Sequence, residues 1–107
     1  MPKEDRRIIF THDEVYKALY ALCVQKQLSK PPAGAVKAVK EKDADGAQIV
    51  LDLENPAQEA TETVEYARDF LAAALMVFCR GAGIPLPKSA QKSVLIHNGE
   101  VILRVQI

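Results

Sequence analysis

The feature that most constrains this chain is an internal repeat, in which residues of the first half match residues of the second half at one constant separation. The matching pairs are Asp13 and Asp69, Ala18 and Ala74, Leu19 and Leu75, Cys23 and Cys79, and Pro31 and Pro87. Each half contains a helical stretch, a proline-containing connection and two strand-like segments. Self-similarity of this kind indicates a duplicated unit whose two copies pack about an approximate two-fold axis.

The first helix is predicted to begin after Thr11. The segment Thr11-His12-Asp13-Glu14 has the form of a capping box, in which the Thr11 hydroxyl and the Glu14 carboxylate each accept a hydrogen bond from a backbone amide. Val15, Leu19 and Leu22 then recur at helical spacing. Pro31 and Pro32 stop the helix.

A hairpin is predicted next, with strands over residues 35–42 and 49–53 and a turn at Asp43-Ala44-Asp45-Gly46. The segment from Glu41 to Asp52 superficially matches a calcium-binding loop because acidic residues and Gly46 fall at the required positions. Its first ligand is Glu where Asp is usual, its last is Asp where Glu is usual, and strand-like alternation follows Gly46. These departures favour a hairpin turn.

The second helix is predicted to begin at Asn55-Pro56, a cap followed by proline, and to continue to about Arg80 before Gly81 and Gly83. Its later part, Phe70 to Cys79, is apolar on every face. That run is shorter than the roughly 20 residues needed to cross a bilayer. The pattern therefore indicates a helix that is central to the core or shared with a partner.

The last hairpin carries the clearest signal, because Asn98-Gly99 is the typical two-residue hairpin turn. This turn sets the register, so that His97 lies opposite Glu100 and Leu95 lies opposite Ile102. One face of the hairpin is then the core face. Its residues are Val94, Ile96, Val101, Leu103 and Val105.

Together these patterns predict one α+β domain over residues 1–107, built from two α-β-β units by internal duplication. Residues 1–10 form an N-terminal segment or short strand, residues 11–54 the first helix-hairpin unit, and residues 55–107 the second. The expected architecture is a four-stranded antiparallel sheet with two helices packed on one face.

Composition limits the functional classes. The chain has 14 basic and 14 acidic residues among 107, so a protein that coats nucleic acid or an anionic membrane is disfavoured. Cys23 and Cys79 both fall in predicted helices, which indicates buried thiols in a reducing compartment. A Cys23–Cys79 bridge or redox pair is the weaker alternative. We expect a cytoplasmic protein without a membrane segment, and the stretch 79–92 resembles small bacterial proteins, which implies no function.

No catalytic constellation is predicted. His12 and His97 occupy a helix cap and a hairpin end, so no serine, histidine and acid cluster can be argued. Neither histidine has a partner at metal-ligand spacing on its own element. Gly81 and Gly83 come at the end of a predicted helix, whereas the glycines of a phosphate-binding loop come before the start of one. We therefore expect no enzyme activity, no cofactor and no metal.

Two functional hypotheses rank above a third, a small enzyme, which a concave pocket of polar groups would indicate. The first is a non-enzymatic interaction or adaptor domain that acts through protein–protein contacts or as a homodimer, because an all-apolar helix and an outer sheet face would otherwise be under-covered. Its predicted face consists of Leu95, Ile102, His97 and Arg104. The second is a nucleic-acid-binding or anion-binding domain that uses the basic stretches 26–42 and 80–92. Its predicted residues are Lys30, Lys37, Lys40, Arg80, Lys88 and Lys92.

Overall fold

The order of elements is the same in both halves of the chain: strand, helix, strand, strand. A computed structural model of the protein describes residues 5–57 and 59–107, so residues 1–4 of the predicted N-terminal segment lie outside it. The elements are β1 (Asp5–Phe10), α1 (His12–Gln25), β2 (Ala35–Glu41), β3 (Gln48–Asn55), β4 (Ala60–Ala67), α2 (Arg68–Gly81), β5 (Gln91–His97) and β6 (Glu100–Gln106).

The strands form two antiparallel sheets of three strands each, so the prediction of one four-stranded sheet is wrong. Sheet A has the order β1-β6-β5, and sheet B has the order β2-β3-β4. Each sheet combines the hairpin of one half with the first strand of the other half. The edge strands β2 and β5 approach each other, but no ladder of hydrogen bonds joins them. We call this junction the seam.

The prediction of a long second helix from Asn55 is also wrong, since residues 60–67 form β4. The pattern of this segment has the period of a strand, because Val64 and Tyr66 pack against the core while Thr63 and Glu65 face outward. Antiparallel pairing with the whole of β3 gives the backbone N–H and C=O groups of this segment their hydrogen-bond partners. The segment therefore does not need a helix to satisfy these groups. The helix therefore begins only at Arg68.

The Asn55-Pro56 pair, which resembles a helix cap, instead makes the tight turn between β3 and β4. The Asn55 side-chain oxygen accepts a hydrogen bond from the amide of Ala57 at 3.1 Å. The amide of Glu59 donates to the carbonyl of Pro56 at 3.3 Å. An asparagine side chain can accept a hydrogen bond from the backbone amide two residues later in a helix cap and in a tight turn alike, so Asn55 suits either structure. Gln58 lies outside the described residues.

Three local predictions are confirmed. In the capping box of α1, Thr11 Oγ1 accepts from the Glu14 amide at 3.1 Å, and Glu14 Oε1 accepts from the Thr11 amide at 2.8 Å. The β5–β6 hairpin has the predicted register, with His97 opposite Glu100 and Leu95 opposite Ile102. The first hairpin also forms, and a register shift between Val36 and Ala38 explains why its first strand alternates poorly.

The core lies between the two helices and the inner faces of both sheets. The helices pack on each other and on one face of the sheets. Two aromatic pairs close its flanks: Phe10 meets Phe78 edge-on at 5.9 Å between centroids, and Tyr66 stacks on Phe70 at 5.5 Å. The opposite faces of the sheets, which we call the outer faces, carry no helix in the described part of the chain. The fully buried side chains include Val15, Leu19, Ile49, Leu51, Leu53, Leu71, Leu75, Val94, Val101 and Leu103.

Candidate interaction surfaces

The four residues of the predicted interaction face lie on the outer face of sheet A. Leu95 and Ile102 are cross-strand partners, and Ile9 of β1 is the partner of Ile102 on its other side. A row of apolar side chains therefore crosses all three strands. Ile102 at its centre is 6% exposed and Ile9 at the edge is 58% exposed. Most of the apolar area that the row presents comes from Ile9 and from half-buried Leu95.

Charged residues border this row on one side. Arg104 donates two hydrogen bonds to the Asp5 carboxylate, at 3.0 Å to Oδ1 and 2.7 Å to Oδ2. These bonds hold the pKa of Asp5 below its usual value and raise the pKa of Arg104. Arg7 lies directly opposite Arg104 in the ladder. Within residues 5–57 and 59–107, Arg7 forms no ion pair.

At the seam, the first residue of α2 joins the two sheets. Arg68 donates from Nε to the carbonyl of Gly46 at 2.6 Å and from Nη1 to the carbonyl of Val94. Its Nη2 donates to Glu41 Oε2 at 2.7 Å. One guanidinium thus links the turn of the first hairpin, the end of β2 and the exposed edge of β5. It supplies hydrogen bonds where the ladder is missing.

A cavity of about 380 Å³ opens beside Arg68 on the outer side of the seam. We call it the seam cavity. It combines apolar side chains of sheet A with polar groups from both sides of the seam. Its lining residues are Arg7, Glu41, Arg68, Leu95, Ile96, His97 and Ile102.

A second concave region lies on the other side of the molecule, between the helices, and we call it the interhelix groove. Its volume is about 390 Å³. Its apolar walls come mainly from α2, and its cations, Lys26 and Arg80, stand at the ends of the two helices. Neither cation forms an ion pair with any residue that the structure describes. The lining residues are Leu22, Gln25, Lys26, Ala73, Met76, Val77 and Arg80.

The groove is apolar because α2 is apolar all round. Leu71, Ala74, Leu75 and Cys79 are its buried side chains. Its other face is also apolar but is only half-buried, and it includes Ala73, Met76 and Val77. A surface helix of a globular protein normally has polar residues on that face.

An exposed apolar patch at the end of α1 was not predicted from the sequence. Tyr20 and Val24 on α1 are 38% and 48% exposed, and Leu28 just beyond the helix is 50% exposed. Tyr20 and Val24 are four residues apart, which is a helical signal, but they lie beside the stronger core stripe of the same helix. Lys30 lies over the Tyr20 ring at 5.6 Å from its centroid, which covers part of this patch.

The basic residues of the second hypothesis are spread over several elements. Lys40 lies 3.9 Å from Asp52 on the outer face of sheet B. Lys92 donates to the carbonyl of Ala90 at 3.2 Å. Lys37 is at the irregularity of β2, and Lys88 is exposed in the loop before β5. The fold places Arg80 of this set beside Lys26 in the interhelix groove.

The remaining reactive groups are engaged or buried. Cys23 and Cys79 are free thiols, and burial raises the pKa of both, which lowers their nucleophilicity. His12 Nε2 lies 2.9 Å from the carbonyl of Gly99, to which it donates. No group of three metal-ligating side chains gathers among the described residues. In the same part of the chain, neither helix is long and apolar enough to span a membrane.

The fold defines a small α+β protein in which two helices cover two three-stranded antiparallel sheets. In comparisons with known proteins, no family model, curated protein or solved structure matches this chain.

Proposed function

We propose that this chain is a non-enzymatic interaction module that binds an acidic amphipathic helix of a partner protein in the interhelix groove. The observation that carries the proposal is the apolar outward face of α2, where Ala73, Met76 and Val77 line a concave surface. A helix that docks in a groove buries apolar side chains spaced three or four residues apart. The groove offers apolar walls for such side chains.

The charges of the groove favour an acidic partner. Lys26 and Arg80 both line it, and none of the acidic residues that the structure describes does. Carboxylates on the flanks of a docked helix would pair with these cations and would speed the encounter. The same charges disfavour a two-fold dimer through this groove, because it would bring the cations of one copy against those of the other.

Nucleic-acid binding, the second hypothesis, has less support from the placement of the basic residues. Lys30 lies on Tyr20 and Lys40 lies near Asp52. Lys26 and Arg80 flank an apolar groove, whereas a phosphate backbone is matched by a polar, positively charged groove.

The proposal is tested by selection from a displayed library of helical peptides that share one apolar stripe and differ in whether the flanking residues are acidic, neutral or basic. We expect the selected peptides to be acidic and to shift the amide resonances of Ala73, Val77 and Arg80. The double variant Lys26→Glu, Arg80→Glu should invert the preference toward basic flanks. Lys37→Glu, Lys88→Glu is the matched control, since both residues lie outside the groove, and it should leave the selection unchanged.

Three results would overturn the proposal. One is selection without any charge preference, and another is mapping of the selected peptides to the sheets. The third is a concentration-dependent dimer that is disrupted by Val77→Glu, which would make a second copy the occupant of the groove. Retention of mixed oligonucleotides at low salt that is lost in the control variant would favour the second hypothesis instead.

A further inference from the structure

The seam cavity is separate from the interhelix groove, and we infer that it binds small amphiphilic carboxylates, which are molecules with one carboxylate and a short apolar body. Three observations support this: the apolar floor of the cavity, an arginine that forms no ion pair within residues 5–57 and 59–107, and a fixed ion pair at the opposite wall. None of them depends on the function proposed for the groove.

The floor of the cavity consists of Leu95 and Ile102, which are cross-strand partners on the outer face of sheet A. The volume of about 380 Å³ falls within the range of about 300–1,000 Å³ that is usual for small-molecule sites. The cavity exists because β2 and β5 do not pair, so the surface is concave at this point. An apolar chain of modest length would bury these two side chains further.

Arg7 supplies the cation. It lies directly opposite Arg104 in the ladder, and like charges in such positions destabilise a sheet. Asp5 binds Arg104 through both carboxylate oxygens, and Arg7 also lowers the pKa of Asp5 through its charge. Two arginines therefore share one carboxylate, which leaves an excess of positive charge at this place. A carboxylate bound at Arg7 would neutralise it, and a guanidinium matches a carboxylate with two parallel hydrogen bonds.

The opposite wall orients the ligand. Arg68 donates to Gly46, Val94 and Glu41, so three of its five N–H donors are used within the protein. Because Glu41 already pairs with Arg68, that end offers no uncompensated cation to a second negative charge. A ligand with one carboxylate toward Arg7 and its apolar body toward the seam therefore fits better than a multiply charged anion such as phosphate. His97 also lines the cavity, where it is exposed.

The experiment compares octanoate, its neutral analogue octanamide, and inorganic phosphate, each titrated into the full chain below any micelle concentration and followed by amide resonances. We expect octanoate to bind about tenfold more tightly than octanamide, which corresponds to about 1.4 kcal/mol for the ionic contact. The shifts should centre on Leu95, His97 and Ile102. Phosphate should bind more weakly than octanoate.

Two variants test the assignment of roles. Arg7→Gln should abolish the preference for octanoate over octanamide, and Leu95→Ala should weaken both ligands alike. Arg80→Gln, an exposed arginine in the interhelix groove, is the control and should change neither affinity. Because Arg7 is exposed and lies opposite Arg104, its variant should have a melting temperature equal to or slightly above that of the parent.

Equal affinity for octanoate and octanamide, no binding of octanoate, or an unchanged preference in Arg7→Gln would overturn the inference. So would phosphate that binds as tightly as octanoate. Resonance shifts confined to Ala73, Met76 and Val77 would place the ligand in the interhelix groove and would also overturn it. Failure here leaves the peptide selection unaffected, since that experiment reports on a different surface.

Discussion

The two helices end in the same way but with different residues at the decisive position. After α1, the amide of Leu28 donates to the carbonyl of Cys23 at 2.8 Å, and after α2 the amide of Ile84 donates to that of Cys79 at 2.8 Å. Both endings place one residue in the left-handed region, and it is Gln27 (φ 58°) in the first and Gly83 (φ 76°) in the second. Glycine adopts this conformation without steric cost, whereas a residue with a Cβ does not.

Replacing Gln27 with glycine should therefore stabilise the protein. We expect Gln27→Gly to raise the free energy of unfolding by about 0.5–1 kcal/mol, because relief of the Cβ strain exceeds the added backbone entropy of the unfolded chain. Urea unfolding followed by circular dichroism measures the change. The reciprocal variant Gly83→Gln should lower the free energy of unfolding by a similar amount. A lower stability for Gln27→Gly would contradict this interpretation of the helix end.

The ion pair between Asp5 and Arg104 should be visible in the titration of Asp5. Its two hydrogen bonds hold the pKa of the carboxyl below its usual value. A carboxyl whose pKa is lowered by folding contributes stability above its unfolded pKa, and that contribution is lost as the pH falls through the lowered value. The expected effect on stability is small because the pair is exposed.

Carbon-detected NMR titration of the wild type and Arg104→Gln gives the measurement. The pKa of Asp5 should lie below its usual value in the wild type and should rise toward that value in the variant. Lys17→Gln, which removes an exposed helix pair with Asp13, should leave the titration of Asp5 unchanged. An Asp5 midpoint that is the same with and without Arg104 would exclude this pair as the cause.

Among the helices and strands, the sequence predicts those features that are determined by residues close together in the chain. The capping box of α1 and the register at Asn98-Gly99 are local, since each is determined within a few residues. Because the Asn98-Gly99 turn sets the register of the hairpin, the sequence alone predicts that Leu95 and Ile102 are cross-strand partners. By contrast, Asn55-Pro56 is compatible with both a helix cap and a tight turn. The turn forms because the following segment, β4, pairs with β3.

The division into two sheets could not be derived from local patterns. It depends on which hairpin each first strand joins, and β1 joins β6 while β4 joins β3. The pairing of β1 with β6 connects residues that are distant in the chain. By contrast, β3 and β4 are consecutive strands, and the sequence does not predict their pairing because Asn55-Pro56 also suits a helix cap. Lys26 and Arg80 also lie far apart in the sequence, and they line one groove only after α1 and α2 have packed. The sequence identified α2 as unusually apolar but did not identify its neighbours.

The seam yields a prediction about Arg68. Arg68→Met keeps much of the aliphatic stem but removes all three hydrogen bonds to Gly46, Val94 and Glu41. We expect it to lower the free energy of unfolding by about 1–3 kcal/mol, because partly buried carbonyls lose their donor. Backbone amide exchange should accelerate most in β5, whose edge faces β2. Urea unfolding and hydrogen exchange give the two measurements.

His12 provides the matched comparison, because it is also the first residue of its helix and also binds the carbonyl of a turn glycine. His12→Met removes a single hydrogen bond and leaves the seam intact. His12→Met should lower the free energy of unfolding by less than Arg68→Met, about 0.5–1.5 kcal/mol. If Arg68→Met is no more destabilising than His12→Met, the guanidinium does not join the sheets in the manner described.

At the scale of the whole molecule, neither half has a sheet of its own. The edge strand β1 completes sheet A with the second hairpin, and β4 completes sheet B with the first hairpin. Helix α1 packs on α2 and on both sheets. One cluster of buried side chains therefore contains residues from every helix and sheet. Such an arrangement favours unfolding in one cooperative transition.

The two cysteines report on this cooperativity, because Cys23 lies in α1 and Cys79 in α2 and both are at most 1% exposed. In native buffer at pH 8 both thiols should react slowly with a thiol reagent, since burial shields them and raises the pKa of each. In increasing urea both should become reactive at one midpoint, equal to that of the circular dichroism signal. The single variants Cys23→Ala and Cys79→Ala assign the signals, each compared with its own unfolding curve. A lower midpoint for either thiol would show that one helix leaves the shared core while the other remains folded.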